Sequence, residues 1–201
     1  MNTLTGYSKD VQKTHPRAAK KPFGRSAMKK VLAALGLPAV LMASGPAFAQ
    51  LTQTDVMVAA RTVDFIQKIH TGELRAGIVF APESPKSVDQ ANELRTIFGN
   101  GFRSGDTTLK PVMLRTDQLA DADVALLFMT EGMGASAAKV AGISKARKIP
   151  CITFDLAQVR DGNCAIGVQS RPKIAVFINR KAAAESNATF SDVFRLMATE
   201  Y

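Results

Sequence analysis

The sequence predicts an α/β domain: a mainly parallel sheet flanked by helices, ending in a more antiparallel C-terminal edge. Three observations carry that prediction. Beyond residue 50, strand-length apolar runs alternate with segments of helical period. One run, residues 124–129, is apolar without a break, the pattern of a strand covered on both faces. Near the C-terminus, residues 164–168 and 173–178 flank Pro172 as the two arms of a β-ribbon.

The elements follow in order. Val56, Ala59, Ala60, Val63, Ile66 and Ile69 recur at helical spacing, so an amphipathic helix opens the domain and Gly72 can stop it. Residues 74–80 read as a strand, closed by the loop that holds Pro82 and Pro85. Residues 87–98 read as a helix, and Gly99, Gly101 and Gly105 mark a flexible connection to a short strand over 111–115. After the apolar strand 124–129 comes an Ala-rich helix over 134–148. Its basic last turns (Lys145, Arg147, Lys148) suit the negative end of the helix dipole. Residues 151–154 form a further strand, and residues 190–197 close the chain as a helix. The alternation resembles a Rossmann-like sheet or one lobe of a binding protein.

Charge is distributed unevenly. The chain has 201 residues and a formal net charge of +9. Residues 1–49 hold eight Lys and Arg against the single acid Asp10, whereas residues 50–201 hold 18 basic and 16 acidic residues. The basic block runs into an apolar stretch, residues 31–42, and then into Ala47-Phe48-Ala49. Basic, apolar and small-residue regions in that order describe a secretory signal peptide cut after Ala49. The apolar stretch is shorter than the roughly 20 residues that span a bilayer. Two parts are therefore expected: a signal peptide over 1–49, and a single periplasmic domain over 50–201 with no stable membrane span after cleavage. A basic pI that resides in a leader is no argument for nucleic acid as a partner. The chain has no Trp and two Tyr, which disfavours an aromatic platform for sugars or single strands.

Chemistry-bearing residues are sparse. Cys151 and Cys164 are the only cysteines, and an even number in an exported chain favours a disulfide; the alternative is two buried thiols on separate strands. Gly132-Met133-Gly134-Ala135-Ser136-Ala137 is a G-x-G-x-x-A between strand and helix, with Asp155 after the next strand. Its backbone could hold an anion, which Glu131 would oppose; a plain tight turn is the competing reading. Glu131, Gly132 and Gly134 are thus candidates for a ligand or partner surface. Asp117, Asp121 and Asp123 lack the spacing of a calcium loop, and His70 is the one histidine outside the leader. No G-x-S-x-G and no His–acid pair accompany the serines. No cofactor, metal site or catalytic residue is expected. Phe190, Phe194 and Met197 lie at helical spacing and are candidates for an apolar docking face, with core packing as the alternative.

Residues 58–66 (VAARTVDFI) with 74–79 (LRAGIV) resemble the start of YfiR-like periplasmic proteins. The similarity continues through 122–128 (ADVALLF), 149–155 (IPCITFD), 161–168 (DGNCAIGV) and 174–179 (IAVFIN). The resemblance implies a small, exported, non-enzymatic regulator, often a homodimer. Such a regulator binds and represses the periplasmic sensing domain of an inner-membrane signalling protein, a diguanylate cyclase or a histidine kinase, and so bears on cyclic-di-GMP and biofilm formation. The alternative, drawn from the strand–helix alternation, is a periplasmic solute-binding or transport accessory protein.

Overall fold

The computed structural model describes residues 51–201 apart from Lys68 and His70. The leader expected over 1–49 and the solitary His70 lie outside the described residues.

Helix α1 spans Gln53–Val63 and starts at a capping box. Thr52 Oγ1 accepts from the Asp55 N–H, and the Asp55 carboxylate accepts from the Thr52 N–H. Its apolar stripe, Val56, Ala59, Ala60 and Val63, is buried. The expected helix runs on to Ile69, but α1 stops at Val63. Ile66 forms an isolated antiparallel bridge with Phe190, and the Gln67 N–H bonds to the Thr189 carbonyl at 2.9 Å. A long-range pairing takes the backbone groups that another helical turn would have used.

Strand β1 (Gly72–Phe80) leads into α2 (Pro85–Phe98), which Ser84 caps and Pro85 opens. The expected flexible connection is instead a hairpin of β2 (Phe102–Ser104) and β3 (Thr107–Arg115). Gly105, at φ +54°, takes the first position of its two-residue turn, a backbone angle that glycine adopts without strain. Pro111 lies past the end of β2, where β3 is an open edge and a missing N–H costs no ladder bond. Then follow β4 (Leu126–Met129), α3 (Ser136–Arg147), β5 (Cys151–Thr153), α4 (Leu156–Arg160), β6 (Ile166–Gln169), β7 (Ala175–Ile178), α5 (Arg180–Glu185), α6 (Asp192–Met197) and β8 (Thr199–Glu200).

The strands form one sheet in the order β2-β3-β1-β4-β5-β6-β7-β8. Strands β3, β1, β4, β5 and β6 run parallel, and β2 and β7 join antiparallel. The fold is therefore the expected mainly parallel α/β sheet with an antiparallel turn near the C-terminal edge. Alternate residues of each strand feed two cores. Leu74, Ala76, Ile78, Leu126, Phe128 and Ile152 pack with α1 and α2; Val79, Leu127, Met129 and Cys151 pack with α3. Cys151 and Cys164 are bonded, with α-carbons 5.1 Å apart, at the amino-terminal ends of β5 and β6. Among the described residues, no helix is long and apolar enough to cross a membrane.

Candidate functional site

Ligands of open α/β sheets lie in the crevice beyond the carboxyl ends of the parallel strands, where the winding reverses. Here the reversal falls between β1 and β4, and protein fills it. Ser87 and Thr130, both fully buried, share a hydrogen bond of 2.6 Å. Ser87 Oγ also accepts from the Ala81 N–H, and Thr130 Oγ1 donates to the Val79 carbonyl. The Glu131 N–H donates to Gln90 Oε1 at 2.6 Å, and the Glu131 carboxylate pairs with Lys86 at 2.7 Å.

The G-x-G-x-x-A turn packs against this plug. Gly132 has φ +69°, and a Cβ there would stand 2.9 Å from Ser84 Oγ. The N–H groups of Ser136 and Ala137 bond to the carbonyls of Met133 and Gly134, which leaves neither for an anion. Gly134, at φ +51°, has open space where a Cβ would sit. Asp155, after the next strand, caps α4: its carboxylate accepts from the Ala157 N–H at 3.0 Å. Asp117 pairs with Arg115 and Asp123 with Arg75. Among the described residues, no three His, Cys, Asp or Glu stand together as metal ligands.

The open cleft lies farther along the same rim, over the ends of β4, β5 and β6. It encloses about 330 Å³. Leu51, Phe154 and Val168 supply apolar walls, while Glu131, Gln169, Ser170, Arg171 and Asp55 supply the polar lining. Asp55 shapes this wall. Its carboxylate accepts from Thr52 Oγ1 and the Thr52 N–H at 2.6 Å each and from Ser170 Oγ, and Arg171 stands 3.6 Å away. Burial by itself would raise the Asp55 pKa. The bonds from Ser170 and Thr52, with the Arg171 charge, outweigh burial and hold it below the ordinary aspartate value.

Of the residues singled out in the sequence, only Glu131 reaches the cleft. Phe190 and Phe194 are corrected to core residues. They are 8% and 5% exposed, and the Phe194 ring stacks with Phe65 at 4.4 Å and with Phe190 at 5.3 Å. Phe190 also precedes the helix, which Ser191 caps. Met197 is exposed as expected, and it shares the outer face of α6 with Val193 and Leu196. Sequence reasoning missed Asp55, Phe154, Ser170 and Arg171. Only Asp55 carried a signal, the T-x-x-D spacing of a capping box.

No family model and no curated protein matches the chain. Solved structures are similar in fold. A conserved domain protein from Vibrio cholerae matches with a TM-score of 0.53 at 12% identity, over 76% of this chain and 61% of that one. A Clostridium difficile substrate binding protein with adhesive properties, in its ligand-free, open structure, matches with a TM-score of 0.53 at 10% identity, over 76% and 61%. The chain thus spans about three fifths of the length of these structures, and the likeness is one of fold.

Proposed function

We propose that this chain is an exported, non-enzymatic binding domain that takes a small solute in the cleft at the carboxyl ends of β4, β5 and β6. The observation that carries this reading is the cleft itself, which joins apolar walls to a few convergent polar groups at the rim where parallel sheets hold ligands. The similarity in fold to a substrate binding protein supports it. A thermal-shift screen of small metabolites tests it, because a ligand at a hundred times its Kd stabilises by about 2.7 kcal/mol. A hit should be weakened by Arg171→Ala and by Glu131→Gln. A panel without hits, or hits that ignore both substitutions, sinks the reading.

A second reading is a regulator that docks on the periplasmic domain of an inner-membrane diguanylate cyclase or histidine kinase. It is favoured by the outer face of α6, where Val193, Leu196 and Met197 are 69%, 88% and 68% exposed. A repressor of that kind must bind the inactive receptor more tightly than the active one. On this reading, gene deletion should raise cyclic-di-GMP and attachment, and replacing Leu196 by Asp in the host should do the same. Unchanged levels in both strains refute this role.

A further inference from the structure

Another concavity, about 250 Å³, lies at the opposite rim of the sheet from the cleft. Ile178, the last residue of β7, forms part of it and pairs with Ile166, the first residue of β6, whereas the cleft lies beyond the far end of β6. The floor is apolar: Ile178, Ala183, Ala188 and Phe190 are all buried. The charged part of the lining is Arg180 at the start of α5, Arg195 of α6 and Glu200 of β8.

The two arginines are not equally matched. Arg195 engages Glu200 with its fork: Nε donates to Oε1 at 2.6 Å, and Nη2 donates to Oε2 at 3.1 Å. Arg180 reaches the same carboxylate only at 3.5 Å, from Nε, and its side chain donates no hydrogen bond among the described residues. The bond from Arg195, with the charges of both arginines, holds the Glu200 carboxyl below its ordinary pKa, so it is one full negative charge at neutral pH. Asp192 stands 3.6 Å from Arg195 Nη1, but it is 96% exposed and lies outside the lining. Two guanidiniums thus face one carboxylate, and the pocket keeps one positive charge in excess.

We propose that this pocket is a second binding site, for a small organic monoanion: a carboxylate held by Arg180, with Arg195 beside it, and a compact apolar body resting on Ile178, Ala183, Ala188 and Phe190. A planar guanidinium presents paired N–H donors that match a carboxylate bidentately. A neutral analogue leaves the excess charge unmatched, and a cation meets it with the same sign. Sites for drug-sized ligands run to about 300–1,000 Å³, so the acid taken here is smaller than those. The proposal is independent of what the cleft binds.

Titration of the isotope-labelled full chain, followed by heteronuclear NMR, tests it. The probes are benzoate and isovalerate, each set against its uncharged carboxamide. Either acid should saturably shift the Arg180 Nε–H signal and the backbone N–H signals of Ala183 and Ala188, and the carboxamides should not. Arg180→Gln should weaken binding about tenfold, as loss of a charge-assisted bond does. Arg171→Ala, in the cleft, should leave the affinity unchanged. The proposal is overturned if neither acid gives saturable shifts or if the carboxamides bind as well. It is equally overturned if Arg180→Gln, with the rest of its spectrum intact, binds as tightly as the wild type. Shifts centred on Ser170 and Arg171 would also overturn it, because they would put the acid in the cleft.

Discussion

Ser170, in the turn after β6, donates its hydroxyl hydrogen bond to the carboxylate of Asp55, in the first turn of α1 and 115 residues earlier in the chain. The bond closes one wall of the cleft. It also completes the satisfaction of a carboxylate whose side chain is only 8% exposed. A buried charge is tolerated when its hydrogen-bonding capacity is met, and here Thr52, Ser170 and Arg171 meet it.

Asp55→Ala should lower stability by about 2 kcal/mol, since it strips the capping box and leaves the Ser170 and Thr52 donors unmatched. Chemical denaturation measures the loss. Because the folded pKa of Asp55 is depressed, its contribution is full above the unfolded value near 4 and fades as pH falls through the lower folded value. The deficit of the variant should therefore be constant from pH 5 to 8 and shrink below about pH 4. A deficit unchanged into strong acid would contradict the assignment.

Removing the Cys151–Cys164 bond, by reductant or by replacing both residues with Ala, should cost about 3 kcal/mol, as expected for a closed loop of roughly this length. Calorimetry with and without reductant reports it. Alkylation of the unreduced protein should find no free thiol.

Gly167→Ala should be destabilising by about 1–3 kcal/mol although alanine is a small residue. The added methyl would stand 2.7 Å from Val159 Cγ2 and 2.9 Å from Leu156 Cδ2, both on α4. The β-branched Val159 has little rotamer freedom with which to retreat. An unfolding midpoint equal to that of the wild type would show that α4 does not press on β6.

Phe194→Ala and Leu196→Ala lie two residues apart on α6 and should behave oppositely. The first removes a ring stacked between two others and should cost about 3 kcal/mol. The second removes a side chain 88% exposed and should stay within about 0.5 kcal/mol. Equal losses would mean that the face carrying Leu196 is covered.

Much of the architecture was legible. The breaks between elements came from Gly72, from Pro82 and Pro85 and from Gly99, and the unbroken apolar run around Leu126–Met129 marked a strand between two cores. Short elements escaped notice. The five residues of α4 and the three of β2 are too few to show a period, and the hairpin turn at Gly105 looked like slack chain. The candidate site was mostly hidden. Ser170 and Arg171 belong to no motif, and Glu131 was noticed only because it adjoins a glycine pattern whose turn proved to be packing.

The order of residues alone determined the alternation of strands and helices, the concentration of positive charge ahead of a near-neutral remainder, and the availability of a cysteine pair. These are local or compositional properties, written in periods of two and 3.6 residues and in counts. The tertiary structure decided the rest: that Phe194 faces inward while Leu196 faces water, that the winding reversal is plugged by Ser87 and Thr130, and that Asp55, Glu131, Phe154 and Ser170 line one cleft. Strand order brings those residues together. It is set by the sum of many weak contacts across the whole sheet, none of which leaves a mark at a single position in the chain.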